Sequence, residues 1–96
     1  MTNLQYQKIF KALSDEMRLH LLQRISSSDE ICVCKLMEEF SMGQSKLSYH
    51  LKLLLEAELI SVRPCGKWNF YSANKTLLQQ LFTQNTLNAV SYTHLT

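Results

Sequence analysis

Glycine and proline are scarce in this sequence, with two glycines and one proline among 96 residues. All three stand at breaks between periodic segments, so the segments themselves are uninterrupted. No apolar run approaches the roughly 18 to 20 residues of a membrane span, and the first residues lack the pattern of a signal peptide. We therefore expect a cytoplasmic protein with no membrane partner, built as one small domain.

Cysteine is also rare, and two of the three copies lie one residue apart, at Cys32 and Cys34, with the third at Cys65. Three cysteines, two of them one residue apart, do not suit a framework of disulfides. The thiols of a cytoplasmic protein also stay reduced. Three roles are open for the pair: packing as small apolar side chains, binding of a soft metal, or a thiol redox switch.

The charges divide unevenly along the chain. Residues 1–43 carry five basic and six acidic side chains, whereas residues 44–96 carry five basic and two acidic ones. This mildly basic second half is compatible with nucleic-acid binding, although ordinary solvated surfaces reach the same charge. A hydrophobic content of 46% with 19% charged residues is typical of a globular chain and argues against disorder.

Apolar residues recur at helical spacing in four successive segments. The first segment ends at Ser14, which we expect to be the N-cap of the second. The third and fourth are joined by the short turn "SMG" at residues 41–43, and two short helices with a tight turn are typical of a helix-turn-helix. The four apolar stripes are Leu4, Ile9 and Leu13; Leu21, Leu22 and Ile25; Val33, Leu36, Met37 and Phe40; and Leu47, Leu51, Leu54 and Leu55.

The chain then changes period. The segments "ISVR" and "KWNFYS" alternate in polarity and flank "PCG", so they predict a short β-hairpin. A last helix follows, with Asn74 as its N-cap and with Leu78, Leu81 and Phe82 facing inward. The order α-α-α-α-β-β-α predicts a mainly α winged helix-turn-helix with a short β-hairpin, which occupies residues 1–88.

Residues 89–96, "AVSYTHLT", fit no element of that domain because they have neither a helical face nor a cap. The six residues from Val90 are the translation of the transposase-end sequence CTGTCTCTTATACACATCT read after a codon that ends in CT. We interpret this segment as a non-native assembly artefact and leave it out of the fold.

The second helix of a helix-turn-helix lies in the major groove, and its N-terminal residues meet the bases. The polar face of this helix offers amide, hydroxyl and amine groups that read adenine or neutralise phosphate, with His50 partly inward. Two basic residues flank the hairpin tip, where they can reach the phosphate backbone. A solvated helix face is the alternative, which the helix-turn-helix context disfavours. The predicted DNA-binding residues are Gln44, Ser45, Lys46, Ser48, Tyr49, His50, Lys52, Arg63 and Lys67.

Four stretches of the chain resemble, in order and spacing, the ArsR/SmtB family of metal-sensing transcriptional repressors. They are "FKALSDEMRLHLL", "ICVCKL", "QSKLSYHLKLLLEAELI" and "GKWNFYS", within residues 6–85. "CVC" before a leucine is similar to the arsenite- and antimonite-responsive members, although Met37 stands where arsenic-sensing members have a third cysteine. The resemblance implies a repressor that binds double-stranded operator DNA as a homodimer, paired through its first and last helices. It also implies arsenite or antimonite as the inducer ligand, bound by Cys32 and Cys34.

The spacing of the two cysteines predicts how such a ligand acts. Trivalent arsenic takes three ligands in a pyramid, and soft thiolates suit it; a small thiol, a hydroxide or Cys65 is open as the third. Residues i and i+2 of an α-helix point about 200° apart, so binding by both sulfurs would require the start of the helix to bend. A ligand that binds only the bent form draws the protein away from its DNA-competent form.

Other metals and other classes of function fit less well. Cadmium and lead sensors of the family add N-terminal cysteines, and residues 1–31 contain no cysteine. Zinc sensors carry acidic and histidine ligands in the last helix, and residues 73–88 contain no Asp, Glu or His. An enzyme is not expected, since there is no phosphatase-like Cys-x5-Arg and no glycine-rich phosphate loop. The alternatives are a winged-helix regulator that responds to another soft metal, to thiol oxidation or to no metal, and a protein-interaction module that never touches DNA.

Overall fold

The computed structural model describes residues 2–82, which form five helices and three short strands. The elements are α1 (Asn3–Leu13), α2 (Glu16–Ser26), β1 (Ile31–Cys32), α3 (Val33–Phe40), α4 (Gln44–Glu56), β2 (Ile60–Cys65), β3 (Trp68–Ala73) and α5 (Lys75–Leu81). This order confirms the predicted winged helix-turn-helix and adds β1, which we had placed at the start of a helix. The predicted domain end at residue 88 and the tail 89–96 lie outside the described residues. Within residues 2–82, no helix combines the length and the apolar character that crossing a bilayer requires.

Side-chain caps set the boundaries of the helices. The carboxylate of Asp15 accepts the N–H of Arg18 at 3.2 Å and so begins α2. The hydroxyl of Ser14 instead donates to the carbonyl of Lys11 at 2.8 Å, which closes α1. The prediction of Ser14 as the N-cap of α2 was therefore wrong, because the preceding helix uses its side chain. Asn74 caps α5 as predicted, by accepting a backbone N–H of the first turn.

The turn between α3 and α4 is short because three residues reverse the chain. Ser41 adopts the left-handed conformation at φ 48°, and Met42 follows with its side chain buried. The N–H of Met42 donates to the carbonyl of Met37 at 3.2 Å, which fixes the end of α3. Gly43 is the N-cap of α4 and makes no side-chain bond, a role that glycine fills nearly as well as serine.

The three strands form one antiparallel sheet in the order β1-β3-β2, so the predicted hairpin is extended by a strand. Ile31 pairs with Tyr71, and both side chains are buried against the helices. Cys32 pairs with Phe70, and Phe70 pairs on its other side with Arg63. Because side chains alternate between the faces of a sheet, Cys32, Phe70 and Arg63 form a row on the outward face.

The core lies between the helices and the inward face of the sheet. The apolar stripes predicted for α2 and α4 pack into this core, as expected. On α3, Leu36 is the buried member of the predicted stripe. Two predicted inward residues are exposed, Leu4 to 59% and Phe82 to 47%. In α5 the buried residue is Leu77, since the cap at Asn74 sets the phase of the helix. The fully buried large side chains are Ile9, Leu21, Ile25, Leu36, Leu47, Leu51, Leu54 and Leu59.

Candidate nucleic-acid interface and cysteine site

One face of α4 is polar and exposed along its length. The leucines on its other face are buried, so the helix is held from one side and its polar side chains stand in solvent. The helix N-terminus carries free backbone N–H groups and a partial positive charge, which attract phosphate. The exposed residues of this face, which we call the α4 face, are Gln44, Ser45, Lys46, Ser48, Tyr49 and Lys52.

His50 does not belong to the α4 face, because its side chain is buried with 7% exposure. Its Nδ1 lies 3.2 Å from Nη1 of Arg18 and 3.8 Å from a carboxylate oxygen of Asp15. Arg18 also donates to the carbonyls of Ala12 at 2.8 Å and Lys11 at 3.1 Å, at the end of α1. We therefore correct the placement of His50: it is a structural contact that fixes α4 against the corner between α1 and α2.

The pKa of His50 is lowered, first because burial disfavours the charged ring. The carboxylate of Asp15 opposes this effect, whereas the positive charges of Arg18 and Lys46 add to it. Since a guanidinium can only donate, Nδ1 accepts and the proton of the neutral ring sits on Nε2. Sequence reasoning missed Arg18; an arginine one turn after a helix break is the signal that could have found it.

The two cysteines of the thiol pair, Cys32 and Cys34, lie where β1 passes into α3. Cys32 is the N-cap of α3, with extended backbone angles of φ −73° and ψ 142°. Its Sγ accepts the backbone N–H of Cys34 at 3.4 Å, so the two cysteines are joined across the first turn of α3. The prediction that both cysteines lie on a helix was therefore wrong, because the helix begins at Val33. Cys32 therefore precedes the helix, and Cys34 lies in its first turn.

The contact makes the two thiols unequal. The hydrogen bond from the Cys34 thiol, followed by backbone N–H groups, lowers the pKa of Cys32. The same bond raises the pKa of Cys34, and partial burial and the charge of Cys32 add to that increase. Cys32 is therefore the member that becomes a thiolate first, and a thiolate is the form that binds soft ions.

Cys65 does not join the thiol pair. It ends β2 opposite Trp68, and β3 separates it from β1. Across residues 2–82, no three or more Cys, His, Asp or Glu side chains are grouped so as to hold a metal ion. The donor set available to a three-coordinate thiophilic ligand is thus two accessible sulfurs, which leaves one position for a small exogenous ligand.

The wing, formed by β2, β3 and the turn between them (residues 60–73), carries both predicted basic residues on its surface. Nε and Nη2 of Arg63 each donate to a carboxylate oxygen of Glu30 at 2.8 Å, and the guanidinium lies 4.9 Å from the centre of the Phe70 ring. Lys67 stands over Trp68, with 5.5 Å between Nζ and the ring centre. The hydrogen bonds between Glu30 and Arg63 lower the pKa of the Glu30 carboxyl and raise the pKa of the Arg63 guanidinium. Sequence reasoning missed Glu30, because β1 was not predicted.

The fold and the exposed α4 face define a winged helix-turn-helix domain of the kind that binds DNA. The family model "Bacterial regulatory protein, arsR family" matches residues 15–62. The chain belongs to this family of regulatory proteins.

Relatives and solved structures agree with that assignment. The chain is 41% identical over 80 residues to the arsenical resistance operon repressor of Bacillus subtilis (strain 168), which covers 83% of this chain and 76% of that protein. It is 38% identical over 73 residues to the arsenical resistance operon repressor of Staphylococcus aureus, covering 76% and 69%. The fold is also similar to that of a solved structure from Mycobacterium bovis, the homodimeric winged helix-turn-helix domain of a possible ArsR-family regulator. The two superimpose with a TM-score of 0.75 at 24% identity, over 95% of this chain and 82% of that one.

The neutral His50 predicts how stability depends on pH. A histidine with a lowered folded-state pKa stabilises the fold fully above its unfolded value of about 6.5, and this contribution falls as pH drops below that value. We expect the urea midpoint to fall between pH 7.5 and 5.5, and His50→Gln, which keeps an acceptor for Arg18, to flatten that dependence. The exposed His20→Gln is the matched control. An unchanged pH profile in His50→Gln would contradict the assignment.

Proposed function

We propose that this protein is a homodimeric repressor that binds operator DNA through the α4 face and the wing, and releases it when Cys32 and Cys34 bind arsenite or antimonite. The observation that carries the proposal is the position of the thiol pair at the N-cap of α3, the first helix of the helix-turn-helix. The names of the relatives described above support the metalloid as inducer.

The DNA-binding half of the proposal rests on the chemistry of exposed groups. The amide of Gln44 suits adenine, and the hydroxyls of Ser45 and Ser48 suit bases or phosphates. Lys46 and Lys52 stand on the same exposed face and carry the charge that phosphate requires. Arg63 and Lys67 extend this basic surface onto the wing. Tyr49, exposed to 55%, adds a phenol to the same face.

The sensing half rests on the two sulfurs. The thiol pair offers two soft donors to one ion, and the lowered pKa of Cys32 favours the thiolate that such an ion needs. When the sulfur of Cys32 binds an ion, the cap that it provides to the N–H of Cys34 is given up. A change at this N-cap acts directly on the helix that positions α4. We therefore expect the rearrangement to begin at the cap and β1.

Thiol oxidation is a second candidate for the same site. The closeness of the two cysteines in the chain, the N–H that Cys32 Sγ accepts and the lowered pKa of Cys32 also favour reaction with an oxidant. The two candidates share the residues but differ in the signal, so a reducing buffer separates them.

The homodimer rests on apolar surface that residues 2–82 leave exposed. Tyr6 and Phe10 stack on the outer side of α1 with 6.2 Å between ring centres, and Phe10 is 66% exposed. A second apolar surface is an open groove of about 570 Å³ whose lining includes Leu22, Leu78 and Phe82. Exposed aromatic pairs of this kind mark protein interfaces, and a second copy of the chain is the partner that we propose.

The DNA contact predicts a measurable salt dependence. Lys46→Gln should weaken binding to the region upstream of the gene and reduce the slope of log K against log salt by about 1, because one phosphate contact is lost. Fluorescence anisotropy at several salt concentrations measures this slope. Lys75→Gln, an exposed lysine on α5, is the control and should leave the slope unchanged. Equal slopes in the wild type and Lys46→Gln would remove this lysine from the interface.

The thiol pair predicts metalloid-dependent release. In reducing buffer, arsenite and antimonite should weaken operator binding at least tenfold, and the double variant Cys32→Ser/Cys34→Ser should bind DNA but not respond. Anisotropy with each metalloid, cadmium and zinc measures the response. Cys65→Ser is the matched control, since it removes a thiol outside the pair and should respond like the wild type.

Each failure of this experiment has a distinct meaning. DNA binding without release by any metal would leave only the DNA-binding half of the proposal. Release by an oxidant such as diamide, but not by metalloid in reducing buffer, would favour the redox candidate. Loss of the response in Cys65→Ser would show that the third sulfur takes part.

The aromatic pair on α1 predicts the oligomeric state. Phe10→Glu places a charge where we expect a second α1, so the variant should elute with the mass of one chain in size exclusion with light scattering, whereas the wild type should have twice that mass. Tyr49→Ser is the control, because it removes an exposed aromatic side chain from the α4 face and should leave the dimer intact. A dimeric Phe10→Glu would exclude this surface from the interface.

A further inference from the structure

We propose that the ion pair between Glu30 and Arg63 couples the thiol pair to the wing, so that ligand binding at Cys32 and Cys34 withdraws Arg63 from DNA. Glu30 is a positioning residue in this scheme: it touches neither DNA nor ligand and acts through Arg63. The inference rests on the proposed function and names the route by which that function operates.

The route follows the outward face of the sheet. Cys32 pairs with Phe70 across β1 and β3, and Phe70 pairs with Arg63 across β3 and β2. Opposed residues of adjacent strands lie on the same face, and residues two apart in a strand do so as well. Glu30 precedes β1, and its carboxylate reaches the same face because it accepts both hydrogen bonds from Arg63. A single row of side chains thus leads from a sulfur of the thiol pair to a basic residue of the wing.

The contacts along this row are specific. Arg63 uses two of its N–H groups in a bidentate bond to Glu30, at 2.8 Å each, and its guanidinium lies 4.9 Å from the centre of the Phe70 ring. A bidentate bond to a carboxylate fixes both the position and the plane of a guanidinium. The orientation of Arg63 is therefore set by the segment that enters the thiol pair, although Arg63 itself belongs to β2.

The segment that would move is the most lightly held strand of the sheet. β1 has only two residues and pairs with β3 alone, whereas β2 and β3 pair through six residues each. When Cys32 and Cys34 both bind one ion, the new bonds draw Cys32 towards α3. Only Ile31 separates Cys32 from Glu30 in the chain, so we expect a displacement of Cys32 to reach Glu30. Glu30 then moves and takes the guanidinium of Arg63 with it, away from the phosphate that it would contact.

A second bidentate pair provides a matched comparison. Arg24 donates to the two carboxylate oxygens of Glu39 at 2.6 and 3.1 Å, and this pair joins α2 to α3. It resembles the Glu30–Arg63 pair in residue types and in its two parallel bonds, although Arg24 is less exposed than Arg63, and it joins α2 to α3 and not to the wing. If any ion pair near α3 could provide the coupling, substitution of Glu39 would reduce the arsenite response as much as substitution of Glu30.

The experiment measures operator affinity by anisotropy with and without arsenite, in reducing buffer, for the full chain and its variants. Glu30→Gln keeps the shape of the side chain and removes its charge, so the metalloid-free protein should bind DNA at least as well as the wild type. The factor by which arsenite weakens DNA binding should fall by about three- to tenfold, within the range seen for residues that carry coupling. Glu39→Gln should keep the wild-type factor.

A second variant tests the bidentate bond itself. Arg63→Lys retains the charge that attracts phosphate but cannot form the two parallel bonds, so it should lose the arsenite response to a similar degree. In the double variant Glu30→Gln/Arg63→Lys the losses should not add, because both substitutions cut one link. Circular dichroism of each variant establishes that it is folded.

A separate readout follows the thiols. Protection of Cys32 and Cys34 from a thiol-reactive dye reports arsenite binding, and Glu30→Gln should bind arsenite as the wild type does. By linkage, operator DNA should weaken arsenite binding in the wild type and do so less in Glu30→Gln.

The outcomes separate this inference from the proposed function. A wild type that arsenite does not release overturns both. If arsenite releases the wild type and weakens DNA binding by Glu30→Gln by the same factor, the coupling alone is overturned. The coupling is also overturned if Glu39→Gln loses as much of the arsenite response as Glu30→Gln, or if the losses add in the double variant. A reduced factor in Glu30→Gln and Arg63→Lys, with thiol protection retained, supports the coupling.

Discussion

A buried guanidinium has to be hydrogen-bonded in several directions at once, and Arg18 meets this requirement by joining three helices. It belongs to α2, it donates to carbonyls at the end of α1, and it donates to the ring of His50 on α4. Leaving one of these donors without a partner in the interior would be costly. Among residues 2–82, no buried side-chain nitrogen or oxygen lacks a hydrogen-bond partner. Together with the buried leucines of α4, the hydrogen bonds of this one charge fix the position of that helix.

A second constraint acts at the other end of the helix-turn-helix, where an extended segment becomes helical within one residue. Cys32 pairs with Phe70 as part of a sheet and caps α3 with its sulfur, so one residue belongs to two structures. Serine or aspartate at an N-cap accepts the same N–H through oxygen and makes a stronger bond. Sulfur is a weak acceptor, and the cap that it provides is therefore easily exchanged for a better ligand. The proposed sensor site and the helix boundary therefore share an atom, the sulfur of Cys32.

The sequence predicted most of the fold because the helices are amphipathic and their caps are local. The stripes of α2 and α4, the turn at residues 41–43 and the N-cap at Asn74 all follow from spacing within a few residues. β1 could not be found in this way, since two residues carry no period and its partner β3 lies about 40 residues later in the chain. The errors at Cys32 and Glu30 both follow from that missing strand. His50 was misplaced because the charge that it meets, Arg18, lies 32 residues away in sequence.

The weakness of β1 has a physical use in a protein of this design. The helices are fixed by a common core and by Arg18, and β2 and β3 are fixed to each other, so both units resist small displacements. The segment between them is held by the buried side chain of Ile31, two cross-strand pairs, one sulfur cap and one exposed ion pair. A ligand of modest differential affinity can therefore shift this segment while the core stays intact. In the proposed mechanism, a small ion acts on the DNA-binding surface through this lightly held segment between two rigid units.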